Sequence, residues 1–491
     1  MVNETHGHKP RTPAAHRSRR WFMNKALLAG GVSAVTVMGG YAATSADAEE
    51  AGSADATASA APSGPPPGGG FGRTIPYDDF VGVTTDGTVL GDLYAVHSTG
   101  VSTVPVIRAA RAFVASLTEE QRAATLYEVD SDQWLDWTNV DSNDRDGVAL
   151  RDLTEKQYAL GIGLLRASLS ARGLRQAADI RKLNQFLGEY EGDTSKALNE
   201  DAYWFTVMGT PSATEAWGFQ FEGHHLVVNY FVLGDQVVMT PTFMGSEPTK
   251  ITYEGKKYHL FREETAAGLE LLRSLDETQL AQALSTAAKS GMDLIAGAGQ
   301  DNAVIPYAGV KGSALDRRQR RLLLGLAEVY VGYQDEGHAR VRLREIERHL
   351  DDTYFHWIGE HDDDSAFYYR VHSPVVLIEY DAESPLGYHG NEETTSASPT
   401  ASAPESAPAS ASASAPASAS ASAPASASAS APASASESAS ASASASASSG
   451  PGGPGGPQGT PTQQHIHTII RTPNGNDYGV DLLRLHRETD H

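Results

Sequence analysis

The feature that most limits what this chain can fold into is a strip of structured-looking sequence stranded beyond a long low-complexity run. From about residue 394 to 463 the chain is Ser-Ala repeat punctuated by Pro, then Gly-Pro-Gly-Gly-Pro-Gly-Gly-Pro from Gly450. Pro removes an amide donor and the repeat offers no apolar face, so a disordered spacer is expected there. Beyond it, residues 465–471 alternate like a strand, Thr472-Pro473-Asn474-Gly475-Asn476-Asp477 reads as a turn, and 479–486 as a short helix. One strand and one helix cannot bury enough surface to stand alone. The strip is therefore expected to pair with residues 375–381, which makes the spacer a loop extruded from one domain. Closure entropy grows only logarithmically with loop length, so an insertion of roughly seventy residues is tolerable.

The other end carries targeting signals. Ser18-Arg19-Arg20-Trp21-Phe22-Met23-Asn24-Lys25, an uncharged run and then Ala46-Asp47-Ala48 read as a twin-arginine signal peptide over residues 1–48. Its run over 26–43 is rich in Gly, Ser, Thr and Ala, which favours a removable signal over a permanent anchor. Residues 49–72, closing on Pro65-Pro66-Pro67-Gly68-Gly69-Gly70, have almost nothing to bury and read as a disordered tether. An extracellular or cell-surface destination follows, with no stable transmembrane anchor once the signal is removed. With 38 Lys+Arg against 61 Asp+Glu the net charge is -23, which repels phosphate backbones and disfavours nucleic acid as a partner. There is no cysteine, so stability must come from core burial and any metal must use His, carboxylate or backbone oxygen.

Between the two low-complexity segments, residues 73–393 have ordinary globular character, completed by 464–491. Helical spacing marks 104–117, a helix opened by the Thr118/Gln121 capping box, a second box at Thr154/Gln157, and 174–190. The period then changes: 203–209, 217–221, 225–233 and 236–240 are aromatic and β-branched, with Gly234-Asp235 placed for a tight hairpin. Helical character returns over 263–275, 278–290, 316–330 and 336–350, and strands over 354–358, 367–372 and 375–380. The expected fold is α+β. An antiparallel or mixed sheet drawn from 203–248, 354–381 and 465–471 packs against the helices, as one globular domain with a long disordered insertion before its C-terminal strand.

Several separated motifs then coincide. Gly209-Thr210-Pro211-Ser212, Trp217-Gly218-Phe219-Gln220-Phe221-Glu222-Gly223-His224-His225-Leu226, Thr240-Pro241-Thr242-Phe243-Met244-Gly245, Tyr369-Arg370-Val371-His372-Ser373-Pro374 and the terminal run from His465 to Gly479 together resemble the bacterial domain-of-unknown-function family 3500. The resemblance covers most of 105–385 plus 465–487. It implies that the terminal motif belongs to the same domain and brings no activity with it. The long Ser/Ala/Pro insertion departs from the usual short connection.

The chemistry-bearing candidates are histidines. In an extended chain Glu222 and His224 would share one face while His225 and Asn229 share the other. His465 and His467, two apart on a strand, would project together, a spacing that suits two imidazoles on one divalent ion. His372 at a preceding turn, Glu379 and Asp381 could lie nearby, with His356 more distant. Glu222, Asn229 or Glu379 could hold the second ring nitrogen of a ligating imidazole. The plain alternative is that these histidines cap loops or fill polar gaps. Asp141-Ser142-Asn143-Asp144-Arg145-Asp146-Gly147 lacks the glycine and glutamate positions of a calcium loop, and His361-Asp362-Asp363-Asp364 reads as a hairpin tip. Gly297-Ala298-Gly299 lacks a dinucleotide fingerprint, and neither a Gly-x-Ser-x-Gly elbow nor a His-Glu-x-x-His pair is present. Trp134, Trp137, Tyr203, Trp204, Trp217 and Phe219 are read as core.

Two functions remain open. One is a secreted metal-dependent hydrolase gathering His224 or His225 with His372, His465 and His467 around a divalent metal ion, with Glu222 as catalytic proton acceptor. The other is a non-catalytic binding module with structural histidines. The partner would be an unknown small molecule or an envelope polymer.

Overall fold

The computed structural model describes residues 80–142, 144–194, 197–289, 291–388 and 459–489. The signal peptide and tether expected over 1–72, and the spacer up to residue 458, lie outside the described residues.

Alternating large apolar residues build eight central strands: β1 (Tyr203–Gly209), β2 (Trp217–Gly223), β3 (Leu226–Leu233), β4 (Thr242–Ser246), β5 (Tyr354–Gly359), β6 (Phe367–His372), β7 (Leu377–Ala382) and β8 (Ile466–Arg471). They lie in the order β1-β2-β3-β4-β8-β7-β6-β5, each neighbouring pair antiparallel. Short strands Leu126–Tyr127 and Leu284–Thr286 add parallel to β1 and β5, so the sheet is mixed. The helices are α1 (Val104–Ser116), α2 (Glu119–Thr125), α3 (Glu155–Ser168), α4 (Ala171–Glu191), α5 (Arg262–Arg273), α6 (Glu277–Ala283), α7 (Arg317–Val331), α8 (Glu336–Arg348) and α9 (Val480–Thr489). None of the described helices is long and apolar enough to cross a membrane.

The two sheet faces differ in chemistry. One face presents Phe205, Phe219, Phe221, Tyr230, Tyr369, Ile378 and Ile470 to Phe113, Leu164, Ile180, Leu269 and Leu323 of the helices in one continuous core. The other face carries Gln220, Glu222, Asn229, Arg370, His372, Glu379, Asp381, His467 and Arg471, all buried. Irregular segments and α9 cover it, packing Trp134, Trp137, Ile305, Tyr478 and Leu482 against Phe243 and Ile469. The aromatic cluster expected in the core is buried throughout.

The terminal strip returns as expected. β8 pairs with β7 from Leu377↔Arg471 to Ala382↔Ile466, and on its other side with β4 from Ile466↔Ser246 to Ile470↔Thr242. Ser384 Oγ donates to Gly459 O at 2.8 Å and Thr462 N to Glu383 O at 3.0 Å, so the chain on either side of residues 389–458 closes on itself. The result is one α+β domain with an insertion between β7 and β8. Three expectations need correction. The helix read over 278–290 stops at Ala283, because the chain turns to pair Leu284 with Trp357. The strand read over 375–380 begins at Leu377, since Ser373 Oγ holds the amides of Val375 and Val376 in a turn. The strand read from 225 begins at Leu226: His225 has φ 62°, and His224-His225 form a two-residue turn between β2 and β3. The alternation expected of Glu222, His224 and His225 is broken by that turn.

The strand order is a palindrome, and the halves repeat in detail. In the first, Gln157 Nε2 donates to Ser116 O at 2.9 Å and to Gln121 Oε1 at 2.7 Å; in the second, Gln319 Nε2 donates to Ser274 O at 2.8 Å and to Gln279 Oε1 at 2.7 Å. Each glutamine is the third residue after a capping Thr or Asp: Thr118, Thr154, Asp276 and Asp316. Val148 pairs with Phe205 as Val310 pairs with Phe355. Gly147 (φ 93°) and Gly309 (φ 98°) precede those pairs, and a Cβ on either would overlap the carbonyl of Phe205 or Phe355.

Gly147→Ala and Gly309→Ala should each destabilise the fold by roughly 2–4 kcal/mol, through positive φ and a backbone clash. Gly163→Ala and Gly325→Ala, at matching mid-helix positions with open space around them, should instead stabilise by about 0.5–1 kcal/mol. Urea unfolding reads all four; opposite behaviour within either pair would refute the repeat.

Candidate metal centre

The turn and the terminal strand bring three imidazoles together. His225 is fixed by its own backbone, its N–H donating to Asn139 O at 3.1 Å and its carbonyl accepting from Gly245 N at 2.7 Å. His465 stands just before β8 and His467 within it, on one face. Ring centroids lie 5.4 Å apart for His225 and His465, 5.0 Å for His225 and His467, and 4.5 Å for His465 and His467. One ligand nitrogen from each lies within 4.8 Å of the other two, and all three residues are buried. Gly245, opposite His467 across the β4/β8 pair, makes the room: a Cβ there would sit 2.7 Å from His467 Cδ2 and 3.1 Å from His225 Cδ2.

Hydrogen bonding fixes which nitrogens are free. His465 Nδ1 lies 2.9 Å from the Ser384 carbonyl oxygen and His467 Nδ1 2.8 Å from Glu383 Oε1. Both partners accept, so both Nδ1 atoms carry hydrogen and each neutral ring keeps its lone pair on Nε2. Those two Nε2 atoms are 3.0 Å apart. Two facing lone pairs at that distance repel unless a proton or a cation lies between them. Bonds of about 2.0–2.1 Å at a tetrahedral angle would set two donor nitrogens roughly 3.4 Å apart, close to what is found.

Electrostatics separates the rings. Burial holds His225 well below the usual histidine range, helped by His224 and the other two imidazoles, and burial with the neighbouring His467 holds His465 low. Burial opposes charge on His467 too, but Glu383 outweighs it and raises that pKa. Beside the triad, Asp381 pairs across the strand with His467, and burial with the charge of Glu383 raises it against the pull of Lys289, 2.9 Å away. A cavity of about 50 Å³ opens beside His467 and Glu383, walled by Asn139, Phe243, Met292 and Leu294 among others.

The remaining sequence candidates lie elsewhere. His224 stacks on His225 at 3.8 Å but turns Nδ1 to Asn184 Oδ1 at 2.7 Å, outside the triad. Glu222 accepts from Thr138 N at 3.0 Å and pairs with Arg145 Nε at 3.2 Å, both side chains buried. His372 stands two strands away from β8, its ring 4.7 Å from that of Tyr307. Glu379 is taken up by the amides of Ile295 and Ala296 and the Tyr368 hydroxyl. Sequence reasoning missed Glu383, Ser384, Asn184 and Gly245. Glu383 continues the Glu379, Asp381 alternation by one more step, a signal that was present. The Asn184 and Ser384 contacts depend on tertiary packing and leave no local signature.

Over residues 99–399 the chain matches the family described as protein of unknown function (DUF3500). It belongs to that family. No curated protein and no solved structure matches it. In this DUF3500 chain the match ends before His465 and His467, yet the sheet register makes those residues part of the same domain.

Burial pushes His372 down to about 3 and His356 to about 4, with Arg370 adding to both, and lowers His224 and His225 strongly. Such groups fold neutral, so their contribution is present above pH ~6.5 and is lost as pH falls toward the folded values. Through these four histidines, metal-free protein should lose stability as pH falls from about 6.5 toward 4. His372 alone should account for on the order of 2 kcal/mol between pH 6.5 and 5. A His372→Phe variant with an unchanged acid limb in calorimetry would contradict this.

Proposed function

We propose that the protein is an exported metal-dependent hydrolase acting on a small substrate, with a divalent transition-metal ion held by His225, His465 and His467. The observation that carries this reading is the pair of Nε2 lone pairs at 3.0 Å, each ring locked by an acceptor on its other nitrogen. Imidazole sets suit zinc, copper, iron or nickel better than magnesium or calcium. Held by three neutral imidazoles, such an ion would keep its charge undiminished, and the chemistry it would supply is a water whose pKa is lowered toward neutrality.

The surrounding residues supply the rest. Glu383 and the Ser384 carbonyl orient the two terminal imidazoles and raise their basicity. Glu383 also lines the cavity beside His467, so its carboxylate is the one that faces that space, although, against burial, its bond to His467 holds its pKa low. Glu222, the acceptor expected from sequence, is ion-paired with Arg145 and does not line that cavity, which suits a structural role. The cavity's size and apolar walls favour a substrate of a few heavy atoms at the reacting end. The Ser18-Arg19-Arg20-Trp21-Phe22-Met23 run supports export by the twin-arginine route.

Elemental analysis of protein from the exported fraction should find about one equivalent of a transition metal, with at least a tenfold loss in His467→Ala and no loss in Glu222→Gln. Wild type that holds no metal after incubation with excess zinc, copper, iron or nickel salts and removal of the free ions would end this reading in favour of structural histidines. Replacing Arg19 and Arg20 together by Lys should leave the precursor in the cytoplasm on fractionation; unaltered export would dismiss the targeting assignment.

A further inference from the structure

The repeat allows the two polar half-faces to be compared position by position. In the first half Trp204 pairs with Glu222 and Thr206 with Gln220; in the second, Tyr354 pairs with His372 and His356 with Arg370. The first half is electrically closed. Arg145 reaches down from its loop to Glu222 at 3.2 Å and lies 5.4 Å over the Trp204 ring. The second half puts Tyr307 in that loop position, stacked on Tyr354 at 4.7 Å and 9° and meeting the His372 ring at 4.7 Å. The acid has become an imidazole and the neutral amide of Gln220 has become the cation of Arg370.

Arg370 is thereby left without a counter-charge. It is 5 % exposed, and its hydrogen bond is from Nη2 to Pro306 O at 3.2 Å. No carboxylate among the described residues forms an ion pair with it; Glu379, opposite it on β7, is committed to backbone amides and Tyr368. Arg370 Nε, Tyr307 Oη, His356 Nδ1 and both ring nitrogens of His372, itself 1 % exposed, have no hydrogen-bond partner. A buried, unpaired cation beside several unsatisfied polar atoms is costly unless something of opposite charge satisfies them together. Pro306 is exposed and Tyr307 and His356 are half-buried, so the cluster can be reached from solvent.

We propose that Arg370, Tyr307, His372 and His356 form a binding site for a small oxyanion, a carboxylate or a phosphate-type group. The Arg370 Nε–H and the Tyr307 hydroxyl donate to it, neutral His372 adds one N–H, and His356 adds its Nδ1–H with the Ser285 hydroxyl donating to its Nε2 at 2.8 Å. The site is separate from the His225, His465, His467 triad and does not require a metal.

The test uses metal-free exported protein, with His467→Ala as a control that removes the triad. Inorganic phosphate and acetate are each titrated against sodium chloride at equal ionic strength, following Tm and heat of binding. A saturable rise of several degrees with either anion, retained in His467→Ala, is expected, and the stronger of the two identifies the group recognised. Arg370→Met removes a buried charge that lacks a partner, so it should fold with an equal or higher Tm in chloride and lose the anion response. Should that variant fail to fold, Tyr307→Phe combined with His372→Gln should bind at least tenfold more weakly. Absence of any response above chloride, or a response unchanged in these variants, overturns the proposal.

Discussion

The whole architecture depends on β8 occupying the centre of the sheet. It is the only element joining the four strands of the first half to the other three of the second among the described residues, through β4 on one side and β7 on the other. Its anchoring is strong in proportion. Arg471, fully buried, donates to Asp301 at 2.9 Å, to Asp477 at 3.1 Å and to the carbonyls of Ala296 and Gly297. Asp477 in turn accepts from the Thr472 amide, and Asp301 from the Tyr478 hydroxyl. A buried ion network of this kind adds little net stability over an apolar equivalent, but it leaves any other register with unpaired charge. It therefore specifies where a strand delivered from across a long insertion must dock.

The same logic organises the polar face. Carboxylates two residues apart on β7 are met by backbone amides of one irregular segment: Asp293 and Leu294 for Asp381, Ile295 and Ala296 for Glu379. Glu247 likewise gathers the amides of Leu386, Gly387 and Tyr388 where the chain leaves for the insertion. Irregular backbone can be buried here because side chains on the sheet supply the acceptors its amides would otherwise lack. Helices could not do this, since their amides are internally satisfied. The division of labour between faces, helices against the apolar one and mainly irregular segments, with α9, over the polar one, follows from that.

Much of the fold was legible because it rests on local signals. Capping boxes at Thr118 and Thr154, the Gly234-Asp235 turn and the stranded terminal strip each carry their own chemistry in sequence. The pairing of the strip with 375–381 followed from the need to bury it. What was not legible depends on departures from regularity. His224-His225 sits in a run that alternates well enough to read as one strand, and only the positive φ of His225 reveals the turn. The helix read through 290 fails because pairing with β5 outcompetes modest helical propensity beyond Ala283. The repeat went unread in the sequence, although Leu117-Thr118-Glu119-Glu120-Gln121 matches Leu275-Asp276-Glu277-Thr278-Gln279; the sheet order reveals it. The acceptor behind His467 lay one step along a series already noticed; the acceptor behind His465 is a backbone carbonyl, which no side-chain pattern announces.

A duplicated fold with a symmetric sheet raises the question of why the imidazole cluster occurs at a single, asymmetric place. Its three members come unequally from the halves: His225 from the turn of the first, His465 and His467 from the last strand of the second. The junction explains this sterically. β4 and β8 run antiparallel across the axis relating the halves, so His467 faces Gly245 directly, in a space where even a methyl group would crowd two rings. A second imidazole at position 245 could not be accommodated, and an imidazole on one side therefore requires glycine on the other. The turns have diverged in the matching sense: where the first half bends through His224-His225, the second bends through Ser373-Pro374 and carries its histidine at the end of β6, at the position matching Glu222. Asymmetry at the centre is thus the condition for three rings to share one point.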